Sequence, residues 1–120
     1  MAPDSDVRLT VPAEASYLGV CRAALTGMLA DAGDDEVEES KLVLSEVCAA
    51  AVAHDRADAL EIAFRSVPGA IEVEVTGAGV DAFLTDPVAH EVVDRLTSGW
   101  RVERDPDGEG ASVTFSRRLR

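Results

Sequence analysis

From Ala59 to Arg65, and again from Ile71 to Val75, the chain changes sides at every residue, and this constrains its fold more than any other feature. Leu60, Ile62 and Phe64 share one face; after Pro68-Gly69, so do Ile71, Val73 and Val75. A period of two is the mark of a strand with one dry face, and the Pro-Gly pair turns the first run back on the second. A hairpin of this kind is not stable alone. Its apolar face has to be covered by further strands and by helices.

The rest of the chain supplies that cover. Val7, Leu9 and Val11 form a short alternating strand that Pro12 stops. Helical spacing follows from about Ala13 to Ala30, through Tyr17, Val20 or Cys21, Ala24, Leu25, Met28 and Leu29, and Gly33 is expected to close this helix. Asp34 and Asp35 then cap a second helix from about Glu36 to Ala53, with Val37, Leu44, Val47, Cys48, Ala51 and Val52 inward. After a Gly77-Ala78-Gly79 loop, Asp86 and Pro87 open a third helix, Pro87 to Thr97, with Val88, Val92, Val93 and Leu96 inward. Trp100 to Arg104 and Ala111 to Arg117 read as a closing pair of strands around Asp105-Pro106-Asp107-Gly108. The expected order is β-α-α-β-β-α-β-β over a single domain, residues 1–120. The expected fold is an α+β two-layer sandwich: a mixed sheet of about five strands with three helices on one face.

Charge narrows the partners. The formal net charge is −12 over 120 residues. Binding to nucleic acid needs Lys and Arg to neutralise phosphates, so none is expected; Arg117, Arg118 and Arg120 read as a solvated tail. The acidic run Asp34, Asp35, Glu36, Glu38 and Glu39 reads as a solvated helix start. The stretch Met1 to Asp6 lacks the charged and apolar regions of a signal peptide, and no apolar run is long enough to span a bilayer, which points to the cytoplasm and away from membranes. Cys21 and Cys48 fall on apolar helix faces and read as small buried hydrophobes. His54 and His90 make no zinc-type spacing with them. Trp100 is expected to pack over the edge of the core.

The run Leu42-Val43-Leu44-Ser45-Glu46-Val47-Cys48, with the opening Leu9-Thr10-Val11-Pro12-Ala13, resembles the RsbW/SpoIIAB-type anti-sigma factors. These are small serine kinases of the histidine-kinase-type ATPase superfamily, and the resemblance extends from about Val7 to Leu119. It implies three nucleotide motifs. On the second helix a glutamate activates the attacking hydroxyl or water, and an asparagine one turn later holds Mg²⁺. Glu46 matches the first, but Ala50 stands where the metal ligand belongs, and His54 does not replace it. An Asp-x-Gly turn after the third strand accepts from the adenine amino group. Here Gly79 survives, Gly77 replaces the carboxylate, and Asp81 is nearby but out of register. A glycine-rich lid wraps the triphosphate through backbone N–H groups. Only Val80 to Asp86 precedes the third helix here, and Val88-Ala89-His90-Glu91 contains no glycine.

These losses imply a binding module in place of a working kinase: a protein that contacts a sigma factor or a STAS-type antagonist, or pairs with a second copy, and needs no cofactor. The family's first helix contributes to such contacts, which singles out Tyr17 and Arg22, although Gly19 stands where that helix can carry an arginine. The alternative is a divergent serine-protein kinase using ATP and Mg²⁺ through Glu46.

Overall fold

The computed structural model describes residues 5–53, 58–106 and 110–119. His54, the turn residues Asp107 and Gly108, and Arg120 lie outside the described residues. Five strands form one sheet: β1 (Ser5–Pro12), β2 (Ala59–Val67), β3 (Ala70–Gly77), β4 (Gly99–Arg104) and β5 (Ala111–Arg118), in the spatial order β1-β2-β3-β5-β4. Three helices cover it: α1 (Leu18–Met28), α2 (Asp34–Ala53) and α3 (Pro87–Leu96). Short 3-10 segments, Ala15–Tyr17 and Val80–Thr85, lead into α1 and α3. The expected element order and two-layer sandwich are both present.

In one detail the sheet departs from expectation. All four strand pairings are antiparallel, so the sheet is not mixed. Connectivity explains this. Two helices separate β1 from β2 and return the chain antiparallel beside its start. The single helix α3 returns β4 parallel to β3, but the final hairpin strand β5 inserts between them.

Register aligns the alternation of separate strands into apolar rows. Val7, Phe64, Val73, Phe115 and Trp100 form one row, and Leu9, Ile62, Val75, Val113 and Val102 the next. The members on β2, β3 and β5 are almost wholly buried. The opposite face is polar and cross-linked, with Arg65 held 3.1 Å from both Glu72 and Glu74. One dry face and one wet face place all three helices on the same side.

The helices differ from the sequence reading where capping and polar residues decide. Gly33 does not close α1, which ends at Met28; it opens α2. Its carbonyl accepts from Val37 N, and its own N–H donates to Glu36 Oε1 at 3.0 Å, the return half of a capping box. Glu36 is therefore buried, not solvated. Of Val20 and Cys21 it is Cys21 that faces inward, together with Leu25, while Val20 and Tyr17 are exposed. Val88 is 68% exposed. The buried stripe of α3 runs through Ala89 and Val93, flanked by Val92 and Leu96, and Val88 lies roughly 90° from its centre at 100° per residue.

Asp86 starts α3 as its sequence position promised, accepting from Val88 N at 3.0 Å and Ala89 N at 3.2 Å. Asp86→Ala is expected to lower stability by about 1 kcal/mol, read as a lower urea midpoint with an unchanged slope. A midpoint equal to that of the unaltered chain would deny the cap any role.

Candidate functional site

The candidate site is where α2, the end of β3 and the start of α3 meet. The central helix α2 packs against α1, α3 and the Val80–Thr85 segment. Its inward face is Glu36, Ser40, Val43, Leu44, Val47, Cys48 and Ala51. Glu46 and Ala50 sit beside that face, both half-buried. Glu46 makes no hydrogen bond or ion pair with any described residue. Ala50, one turn on, offers a methyl group. Among the described residues no cluster of three or more His, Cys, Asp or Glu side chains is arranged to hold a metal ion.

Gly77 ends β3 at a position that continues the inward series of Val73 and Val75. A Cβ placed there would lie 3.0 Å from the Ala59 carbonyl oxygen and 3.1 Å from Leu60 Cδ2, with Val80 Cγ1 at 3.7 Å. Leu60 and Val80 are both fully buried. A side chain at this position would press on the Ala59 carbonyl oxygen and on Leu60, both of β2, with Val80 in ordinary contact. Gly79 serves the backbone. It adopts φ 81°, a left-handed conformation that suits glycine, and caps the 3-10 segment. Asp81 is not free to act in place of Gly77: its Oδ2 pairs with Arg104 Nε at 2.8 Å, tying the segment to edge strand β4.

The segment from Val80 to Thr85, between β3 and α3, is built as part of the core. Val80 and Phe83 are fully buried. The Phe83 ring meets Trp100 edge-on, with centroids 5.6 Å apart, and stacks with His90 at 6.5 Å. Trp100 also meets His90 edge-on at 5.5 Å and donates from Nε1 to Asp94 at 3.1 Å. Trp100 packs at the core edge, as its sequence position suggested, and His90 belongs to the same aromatic group.

Tyr17 and Arg22 lie on the α1 side. Tyr17 ends the first 3-10 segment with its ring exposed. Arg22 is half-buried, its Nη1 3.4 Å from Ser45 Oγ on α2. Arg117 belongs to no solvated tail. It donates to the Leu96 carbonyl at 2.8 Å and pairs with Glu39 at 2.5 Å, joining β5 to α3 and α2. With Gly33, Asp34, Asp35 and Glu36 this pair lines an open polar cleft of about 660 Å³. No local sequence pattern announces that connection, because Arg117 and Glu39 lie 78 residues apart in the chain.

An antiparallel five-stranded sheet under three helices, with a glutamate-bearing central helix, defines the class: an α+β sandwich of the kind the Leu42–Cys48 run resembles. The chain is 31% identical to the serine-protein kinase RsbW of Bacillus subtilis (strain 168) over a 107-residue alignment, which covers 78% of this chain and 66% of that protein. It is a distant homologue, at the level of family, of the RsbW/SpoIIAB anti-sigma-factor kinases. The chain spans just under two thirds of that relative's length. It matches no protein-family model.

Proposed function

We propose that this protein is an anti-sigma-factor-like regulator that works by stoichiometric protein–protein binding, with its nucleotide site degraded. One observation supports the reading: between β3 and α3, where the resemblance implies a lid, there is only a short 3-10 segment whose Val80 and Phe83 are buried in the core. Triphosphate binding by backbone N–H groups needs an open, glycine-rich loop, and a segment pinned by two core side chains is neither. The close approach of Ala59 and Leu60 to Gly77 and the methyl group of Ala50 support the same conclusion. The partner is a sigma factor or a STAS-type antagonist, met in the cytoplasm through Tyr17, Arg22 and their neighbours on α1, and a second copy of the chain is a further partner. No described helix is long and apolar enough to cross a membrane.

The test is thermal unfolding with Mg-ATP and Mg-ADP at millimolar concentration. A nucleotide present at a hundred times its dissociation constant would add about 2.7 kcal/mol to the native state. The expected result is an unchanged melting temperature, alongside a one-to-one complex with a sigma factor or antagonist that weakens in Tyr17→Ala and Arg22→Ala. A nucleotide-dependent rise, with phosphate transfer to a serine of the partner, would establish the second reading, a divergent serine-protein kinase. That reading has one observation in its favour: half-buried Glu46 makes no hydrogen bond or ion pair with any described residue.

A further inference from the structure

The outer face of the sheet, away from the helices, carries a small recess over β3, β5 and β4. Its volume is about 220 Å³, and Glu72, Gly99, Arg101, Thr114 and Ser116 are among the residues that line it. Register explains the hollow. Glu72, Ser116 and Gly99 lie side by side across the three strands, and Thr114 and Arg101 belong to the adjoining row. The first row therefore ends in a residue with no side chain. Gly99 does not have a positive φ, so the backbone does not require glycine there. A Cβ built on it would meet only Ser116 Oγ, at 4.0 Å, so close packing does not require it either. The effect of this glycine is to leave room.

The groups around that room have hydrogen-bonding capacity to spare. Thr114 is 3% exposed, yet its Oγ1 has no hydrogen-bond partner among the described residues. Buried hydroxyls are nearly always paired, so this one calls for a partner from outside the chain. Ser116 Oγ likewise bonds to no described residue. At one side of the recess, Glu72 Oε1 accepts from Arg65 Nη1 at 3.1 Å, while Oε2 bonds to no described residue. At the other side, Arg101 Nε stands 3.5 Å from Glu103, and the two terminal nitrogens of its guanidinium have no described partner.

A carboxylate and a guanidinium thus flank two unpaired hydroxyls. From this arrangement we propose that the recess binds a free α-amino acid in its zwitterionic form. The ligand carboxylate takes the planar fork of Arg101 and accepts from the Thr114 and Ser116 hydroxyls. Its ammonium donates to Glu72 Oε2. A ligand with one charge leaves one end of the recess unanswered. The volume lies below the ~300–1,000 Å³ usual for drug-sized ligands, which suits a small amino acid and excludes a nucleotide. Arg101 lies directly across from Thr114 and its side chain is 62% exposed, so it is free to swing aside, uncover Oγ1 and close over the ligand. The site is on the opposite face from α1 and does not depend on the partner contacts proposed there.

The test titrates the isotope-labelled full chain with each protein α-amino acid in turn, at millimolar concentration, and follows the backbone amide NMR signals. A small amino acid is expected to shift Gly99, Arg101, Thr114 and Ser116 saturably and to leave α1 unmoved. Acetate and methylammonium each carry one of the two charges and should bind about tenfold more weakly, the loss of one favourable contact. Gly99→Val places a side chain favoured in strands where a Cβ has room, so the melting temperature should hold or rise while the shifts vanish. Thr114→Val removes an unpaired hydroxyl and keeps the shape, so it should fold at least as well and bind more weakly. The proposal is overturned if no amino acid moves these four amides saturably, if acetate alone binds as well as the amino acid, or if Gly99→Val binds like its parent. Titration of the unaltered chain decides the matter even where a variant does not fold.

Discussion

Phe83→Ala is expected to cost about 3–5 kcal/mol of stability, the usual penalty for removing a fully buried phenylalanine from a packed core. The ring is enclosed by the sandwich and contacts both Trp100 and His90, so its loss leaves a cavity at the joint between the sheet, α2 and α3. Urea denaturation followed by Trp100 fluorescence measures the loss, since the only tryptophan of the chain is one of the contacted rings. The functional weight of the prediction lies in what the segment is. A loop that opens and closes over a ligand can lose an aromatic side chain at little cost, whereas a core element cannot. A loss below about 1 kcal/mol would show the segment to be separable from the core, and the proposed binding role without nucleotide would lose its main support.

Gly77→Asp is expected to fail as a repair. It restores the acidic residue that the family resemblance implies at this point, yet the new Cβ would meet the Ala59 carbonyl oxygen at 3.0 Å and Leu60 at 3.1 Å. Backbone cannot retreat as a flexible side chain does, and overpacking of this kind costs about 1–3 kcal/mol. A carboxylate attached to that Cβ starts from a carbonyl oxygen and apolar side chains, and any part of it left without a donor there adds a desolvation penalty. The expected outcome is a lower melting temperature that Mg-ATP does not restore. A variant as stable as its parent that gains a nucleotide-dependent shift would mean that only the side chain, and not the surrounding packing, had been lost.

Local chemistry was enough to read most of the elements from the sequence. The β2–β3 hairpin followed from alternation and one Pro-Gly turn, and the start of α3 from Asp86 before Pro87. The α2 stripe was only partly legible. Its inward residues include Glu36 and Ser40, and a search for apolar spacing passes over polar residues. Glu36 can be buried because it caps Gly33, a contact that exists only once the helix has formed. Val88 fits a broad apolar stripe on sequence spacing, but the stripe that is buried is the narrower one through Ala89 and Val93.

The candidate site divides in the same way. Sequence by itself determined which groups are present: a glutamate at 46, no oxygen ligand at 50, no carboxylate at 77, and no glycine in the short stretch before α3. Tertiary structure alone decided what took their place. It brought the Ala59 carbonyl and Leu60 close to Gly77, paired Asp81 with Arg104, and drew Arg117 to Glu39. Residue identity and short-range spacing fix caps, turns and periodicity, because these depend on neighbours along the chain. Contacts between residues far apart depend on register and on strand order, here the insertion of β5 between β3 and β4, and no local pattern encodes that choice.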